Sequence, residues 1–185
     1  MASQGPLYPG TAASLANAGT AEDETPWVNP SNVGADDTSE AVITHATFDA
    51  GDIGELLVAS NFGFAVSGTV DGITVEIMRR NSAGAASDNR VQLATGTTFA
   101  TLVGDNKADT ALDWPTAEAL KTYGGAADDW NAGLTAAQVN DPGFAVFLSV
   151  QADAANTDIQ VDYIRVTVEY TPAASTPMVA WIQDE

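Results

Sequence analysis

The chain has 185 residues, of which 45% are hydrophobic and 17% are charged, so it is long and apolar enough for one domain with a full core. Its 25 acidic against 6 basic residues give a net charge of −19, which argues against nucleic acids and anionic membranes as partners, because both attract basic surfaces. The absence of cysteine excludes disulfides and thiolate chemistry. We predict no membrane helix, since no apolar run approaches roughly 18 residues, and no secretory signal, since the N-terminus lacks a basic region followed by an apolar block.

The two ends of the chain differ from its middle. Residues 1–25 consist mostly of Ala, Gly, Ser, Thr and Pro, and no apolar period there supports a helix or a strand. We therefore predict an irregular N-terminal arm over residues 1–25, a β domain over residues 26–171 and a C-terminal arm over residues 172–185.

Apolar residues that alternate with polar ones predict about eight strands in the middle of the chain. The clearest strand contains Ile73, Val75 and Ile77 on one face, and its expected partner is the alternating segment 164–170. A slip of the apolar frame between Val161 and Ile164 predicts a β-bulge. The other predicted strands cover residues 41–48, 56–59, 90–93, 97–103 and 144–150.

Two short helical turns are also predicted. Pro115 at a first helical position and Gly124-Gly125 at the end favour a short helix after Asp113-Trp114. Thr135 and Gln138 have the spacing of a capping box for a second turn. The whole pattern predicts an all-β fold, an antiparallel and jelly-roll-like β-sandwich with two helical turns and an arm at each end.

The residues that carry enzyme chemistry give no convincing site. His45 is the sole histidine, so a two-histidine metal face is excluded, and there is no Gly-x-Ser-x-Gly motif. Paired acids leave a small glycosidase as the third-ranked hypothesis, but each pair lies in a segment that needs polar residues anyway. We predict no catalytic, cofactor or metal site. The acid pairs are Asp36/Asp37, Asp105/Asp109 and Asp128/Asp129.

Three aromatic residues, Trp114, Tyr123 and Trp130, fall close together beside several aspartates. Aromatic rings stack on sugars and carboxylates bind sugar hydroxyls, so this group could bind a glycan. The alternative interpretation, which we favour, is that the three rings close the bottom of the sandwich under a long loop.

The C-terminal arm carries an apolar segment that no strand of the domain accounts for. It contains Met178, Val179, Trp181 and Ile182, after a linker that begins and ends with proline. Exposed apolar segments of this kind usually contact a partner, so we predict that these four residues bind a neighbouring subunit or another protein.

An ordered set of short motifs resembles a group of tailed-virus virion structural proteins, from bacteriophages or archaeal viruses, that includes head decoration proteins. The resemblance covers residues 27–171. Each motif alone is a pattern that many unrelated strands and turns share, so the resemblance depends on their order. The motifs are Trp27-x-Asn29-Pro30-x-Asn32, Phe62-Gly63-Phe64, Gly72-Ile73-x-Val75-Glu76-Ile77-x-Arg79, Gly124-Gly125 with Asp129-Trp130, Val139-Asn140-x-x-Gly143-Phe144, and Val161-Asp162-x-Ile164-x-Val166-x-Val168-x-Tyr170-Thr171.

This resemblance implies a decoration or cement protein on the outer surface of the virion capsid. Its arms would bind the major capsid protein or other virion proteins, and by analogy it would form a homo-oligomer, with a trimer favoured. It transfers no catalytic residue, and we predict no cofactor. The net charge of −19 predicts no contact with nucleic acid or membrane. The alternative is a tail- or fibre-associated structural component that binds glycans.

Overall fold

The computed structural model describes residues 1–16, 25–44 and 48–174, and these residues form mainly β-strands. Besides one α-helix, α1, they contain 3-10 turns at Pro30–Val33 and Phe99–Thr101. The strands are β1 (Ala2–Leu7), β2 (Thr11–Leu15), β3 (Ala41–Ile43), β4 (Leu56–Ser60), β5 (Gly68–Ala83), β6 (Ala86–Ala94), β7 (Leu102–Val103), β8 (Ala119–Gly125), β9 (Ala145–Ala152) and β10 (Asp158–Pro172), and α1 is Ala136–Val139.

The strands form two antiparallel sheets that enclose one main core. Sheet A has the order β1-β10-β5-β8, with β3 also paired to β10, and sheet B has the order β2-β4-β9-β6-β7. Successive strands lie in different sheets at nearly every step, as expected of a jelly-roll-like chain path. The predicted all-β, antiparallel sandwich is therefore confirmed.

The central pair of strands is also confirmed. β5 and β10 pair along almost their full length, and the register shifts between Val161 and Tyr163, where the bulge was predicted. Ile73, Val75 and Ile77 are fully buried in the core between the sheets. The period-2 pattern thus identified both the strand and its inward face.

The prediction that the N-terminal residues lack regular structure is wrong for residues 2–7 and 11–15. β1 pairs with β10 and β2 pairs with β4, so this segment adds one strand to each sheet. Its small side chains give no apolar period, and the strands form because backbone groups at two sheet edges accept them. Gln4 adds a side-chain contact, since its amide oxygen accepts from the backbone N–H of Ala65 at 2.9 Å.

The first predicted helical turn is wrong, and the second is confirmed. Residues 119–125 form strand β8, which pairs with β5, while the carbonyl of Pro115 accepts from the backbone N–H of Asn81 at 2.9 Å. Pro115 therefore lies in a loop, and Gly124-Gly125 lies at the end of a strand. Thr135 caps α1 with the reciprocal contacts of a capping box with Gln138.

Of the strand predicted at 97–103, only Leu102–Val103 is β.

Some predicted features lie outside the described residues. They are His45 and the partner-binding residues of the C-terminal arm, Met178, Val179, Trp181 and Ile182. β10 continues to Pro172, one residue beyond the predicted end of the domain. None of the helices in the described ranges is long and apolar enough to cross a membrane.

Asp162 lies at the bulge of β10, is 4% exposed and has one carboxylate oxygen without a hydrogen-bond partner. Burial raises its pKa, and the charges of Glu118 and Asp36 add to the effect. A carboxyl group whose pKa is raised on folding stabilises the fold only while it is protonated. Its contribution is present below the unfolded pKa of about 4 and is lost as the pH rises through the folded value.

We therefore expect Asp162→Asn to raise the melting temperature at pH 7. A rise of about 2–4 °C corresponds to about 1 kcal/mol in a domain of this size. The gain should disappear below about pH 4, where the wild-type carboxyl is neutral in both states. Thermal melts between pH 3 and 8 test this, with the exposed Asp153→Asn as the control. A destabilised Asp162→Asn protein at pH 7 would contradict it.

Candidate binding site

A buried ion pair joins the two sheets at one side of the core. Arg79 comes from β5 in sheet A and Asp88 from β6 in sheet B, and both side chains are almost completely inaccessible to solvent. Arg79 donates to the Asp88 carboxylate. A buried charge needs a partner and further hydrogen bonds, because desolvation of an unpaired ion costs several kcal/mol.

Three more groups complete the environment of the Asp88 carboxylate. Trp114 donates its indole N–H at 2.8 Å, Tyr123 donates its hydroxyl at 2.9 Å and the backbone N–H of Asp109 donates at 2.9 Å. The Arg79 guanidinium lies 4.6 Å from the Trp114 ring centroid, a cation–π distance. Asp88 therefore fixes the loop that follows β7 and the strand β8 at the same time.

Tyr123 remains a hydrogen-bond donor at all ordinary pH values. Burial raises its pKa well above the usual value, and the charge of Asp88 raises it further. An ionised phenol beside a carboxylate in a low-dielectric site would be strongly disfavoured.

Trp130 is held separately, by the backbone of β5. Its indole N–H donates to the carbonyl of Ile73 at 2.8 Å, and its ring is fully buried. The ammonium of Lys107 lies 5.3 Å from the ring centroid and forms an ion pair with Asp128 at 2.8 Å.

The three aromatic residues considered as a possible glycan platform therefore belong to the main core. Trp114, Tyr123 and Trp130 are 2%, 4% and 0% exposed, so none presents a ring face on which a sugar could stack. Their positions agree with the alternative interpretation, in which they close one side of the sandwich. The structure brings Trp114 and Tyr123 together at Asp88.

The same segment nevertheless forms a groove, which we call the polar groove. It lies between β8, an edge strand of sheet A, and the loop at residues 107–109, with a volume of about 400 Å³. Its lining residues are Lys107, Ala108, Asp109, Lys121, Thr122, Tyr123, Gly124 and Asp128. Lys107 and Lys121 are the only two lysines of the chain, so both converge on this groove.

Each lysine in the polar groove is paired with a carboxylate. Lys121 contacts Asp109 at 2.7 Å, and Lys107 contacts Asp128 at 2.8 Å. The hydrogen bond from Lys121 lowers the pKa of Asp109, and the hydrogen bond from Lys107 lowers that of Asp128. Both carboxylates are therefore ionised at neutral pH. The groove carries ammonium donors and carboxylate acceptors with no net charge.

The backbone of β8 adds to this set of polar groups. β8 pairs only with β5 among the described strands, so alternate backbone N–H and C=O groups point away from the sheet. A ligand in the groove could therefore exchange hydrogen bonds with lysines, aspartates and an exposed strand edge. No group of three or more His, Asp or Glu side chains in the described part of the chain is arranged to hold a metal ion.

Comparisons with known proteins add a likeness at the level of architecture. No model of a protein family matches the chain, and no curated protein matches it. Solved structures that resemble it include the xylan-binding module CBM15, with 13% identity over 94% of this chain and 97% of the other and a TM-score of 0.43. A second is the N-terminal cellulose-binding domain of Cellulomonas fimi β-1,4-glucanase C, with 12% identity over 93% of this chain and 96% of the other and a TM-score of 0.39. A third is a family 16 carbohydrate-binding module, with 14% identity over 77% of this chain and 84% of the other and a TM-score of 0.37. At these values the likeness assigns neither a family nor a ligand to the chain.

Proposed function

We propose that the chain is a non-catalytic binding module and that its polar groove holds a glycan. The observation that carries this proposal is the convergence of both lysines, each with a carboxylate partner, on a groove beside a free strand edge. Sugar hydroxyls both donate and accept, so they can use ammonium, carboxylate and backbone groups together. In a virus particle such a module would belong to a tail- or fibre-associated component.

The state of the carboxylates argues against hydrolysis in this groove. A glycosidase needs one carboxylic acid that is protonated at working pH, usually because its environment raises the pKa. The lysines lower the pKa of Asp109 and of Asp128, whereas a catalytic acid would need a raised pKa. The proposal is therefore binding without turnover.

A glycan array with the intact protein tests this function. Binding found on the array should weaken by roughly tenfold or more in Asp109→Asn, because hydrogen bonds to charged groups are the strong ones at a polar site. Asp109 is partly exposed, so the fold should survive the change. Asp153→Asn, on an exposed loop, is the matched control. Absence of binding to any glycan, or equal affinity of Asp109→Asn and wild type, would refute the proposal.

The second candidate is a capsid decoration or cement protein on the outer surface of a virion. It is favoured by the way the resemblance motifs contact one another. Phe62, Phe64 and Phe144 pack with ring centroids 6.0–6.2 Å apart. Asn140 joins two loops, since its amide accepts from the N–H of Val66 and donates to its carbonyl, each at 2.9 Å. The motif at residues 62–64 and the motif at residues 139–144 therefore form one connected part of the fold.

For this candidate, the C-terminal arm would supply the attachment. Burial of Trp181 and Ile182 on a partner could contribute about 4–5 kcal/mol before ordering costs, from about 25 cal/mol per Å² of apolar area. The partner would be another copy of the chain, the major capsid protein or another virion protein. An acidic outer surface also suits a position away from packaged nucleic acid.

Deletion of residues 175–185 tests the assembly role. Every strand that the structure describes ends before residue 175, so we expect an unchanged far-UV circular dichroism spectrum. We also expect loss of self-association in sedimentation velocity and loss of binding to particles. A truncated protein with the oligomeric mass of the full chain would show that the segment has no part in assembly.

A further inference from the structure

Sheet B has a second apolar cluster on its outer face, away from the main core. Leu57 and Ala59 of β4 point into the core, whereas Leu56 and Val58 point outward. The members of this outer cluster are Leu56, Val58, Ala94, Ala145 and Phe147, with Leu15, Phe99 and Leu102 packed against them. The five members of the outer cluster are buried in a single copy of the chain.

Beside this cluster lies a groove, which we call the outer groove. Its volume is about 180 Å³ and the surface that it offers is mostly apolar. It runs along β2, which pairs only with β4 among the described strands and is therefore an edge of sheet B. The lining residues are Thr11, Ala13, Ser14, Leu15, Val58, Ser60 and Thr97.

The only basic side chain without a carboxylate partner in the described residues lies on the same face. Arg90 of β6 alternates with the inward Val91, so it points outward with Gln92, to which it donates at 2.6 Å. Its guanidinium lies 5.2 Å from the Phe99 ring centroid, and its Nε is buried without a hydrogen-bond partner. The other five basic residues form the ion pairs Arg79–Asp88, Arg80–Glu40, Lys107–Asp128, Lys121–Asp109 and Arg165–Glu76.

The C-terminal sequence has the chemistry that complements this face. Residues 178–182 are uncharged and apolar, and Asp184 and Glu185 follow within three residues. Phe147 pairs with Val58 on one side and with Gln92 on the other, so Val58, on the β4 side of the outer groove, lies about two strand spacings, or about 10 Å, from Gln92, which is beside Arg90 on this face. Two or three extended residues span about 7–10 Å, which matches the separation of Ile182 from the acidic end.

We propose that the outer groove receives residues 178–182 of a second copy of the chain, with the acidic C-terminus against Arg90. The apolar residues would lie in the groove against the outward side chains of β2 and β4, and the chain would continue across the outer face of β9 toward Arg90. Burial lowers the pKa of Arg90, so an acidic partner would relieve the cost of this desolvated cation. This inference rests on the assembly role proposed above.

Cross-linking in a chain without cysteine tests the proposal directly. An Ala13→Cys protein is mixed with a separately labelled Ala180→Cys protein and treated with a short bis-maleimide linker. We expect a covalent heterodimer in about tenfold or greater yield over a mixture in which exposed Ser82→Cys replaces Ala13→Cys, since bound segments have a much higher effective concentration. Arg90→Gln should lower that yield.

Two results would overturn the proposal. One is a heterodimer yield equal to that of the Ser82→Cys control. The other is a double variant, Ala13→Cys with Ala180→Cys, that cross-links only within one chain. If deletion of residues 175–185 disperses the oligomer while the yield stays at the control level, the arm assembles elsewhere and only the outer groove is wrong. If that deletion changes nothing, the assembly role itself fails.

Discussion

Replacement of Asp88 by alanine should destabilise the protein by about 3–5 kcal/mol, the usual effect of removing one partner of a buried ion pair. Arg79 would remain in the core without a carboxylate, and the indole of Trp114 and the hydroxyl of Tyr123 would lose their acceptor. Since whole domains are stable by only about 5–15 kcal/mol, the variant should unfold at a far lower denaturant concentration.

Two further variants make this prediction specific. Asp109→Ala removes an ion pair at the surface of the polar groove, and such pairs contribute little, so its effect should be small. Arg79→Met combined with Asp88→Leu replaces the pair with apolar side chains and should be less damaging than Asp88→Ala alone. Equal urea midpoints for Asp88→Ala and Asp109→Ala would contradict the role assigned to the buried network.

Val75→Asp should prevent folding, whereas Thr74→Asp should be tolerated. Val75 is fully buried between the sheets, and an unpaired charge there costs at least several kcal/mol. Thr74 is its neighbour in β5 but points to the partly exposed outer face of sheet A. Circular dichroism and denaturant melts compare the two. Similar effects of both substitutions would mean that the faces of β5 are assigned wrongly.

The strands with regular alternation could be predicted from the sequence because one face of each strand carries apolar side chains of the main core. β5, β9 and β10 each place apolar side chains on the core at every second residue, and even the bulge near Val161 disturbs that period visibly. The helical turn capped by Thr135 and Gln138 could also be predicted, since a capping box depends only on residues close together in the sequence.

Elements that depend on distant partners could not be predicted. β1 and β2 are made of small and polar residues and exist because β10 and β4 offer them an edge. β8 carries the Pro and Gly signals of a short helix, but pairing with β5 and burial of Tyr123 override them. Tertiary contacts of this kind routinely outweigh local propensity.

The candidate site shows the same limit. The cluster of Trp114, Tyr123 and Trp130 was visible, and its burial agrees with the interpretation that the sequence favoured. The groups that hold the rings could not be identified, because they come from distant parts of the chain. Asp88 was missed, since an aspartate near a Gly- and Ala-rich turn looks like an ordinary surface residue. The scarcity of lysine was the available signal for the polar groove: two lysines in 185 residues, both near the aromatic cluster in sequence.

The most direct test of glycan binding in the polar groove is an NMR titration of the full chain, labelled with ¹⁵N, with a glycan that the array selects. The backbone amides of Ala108, Thr122 and Gly124 should shift together in a saturable way, and the shifts should weaken in Asp109→Asn. Shifts confined to the outer face of sheet B, for example at Gln92 and Ser149, or no shifts at saturating glycan, would contradict the assignment of this groove as the binding site.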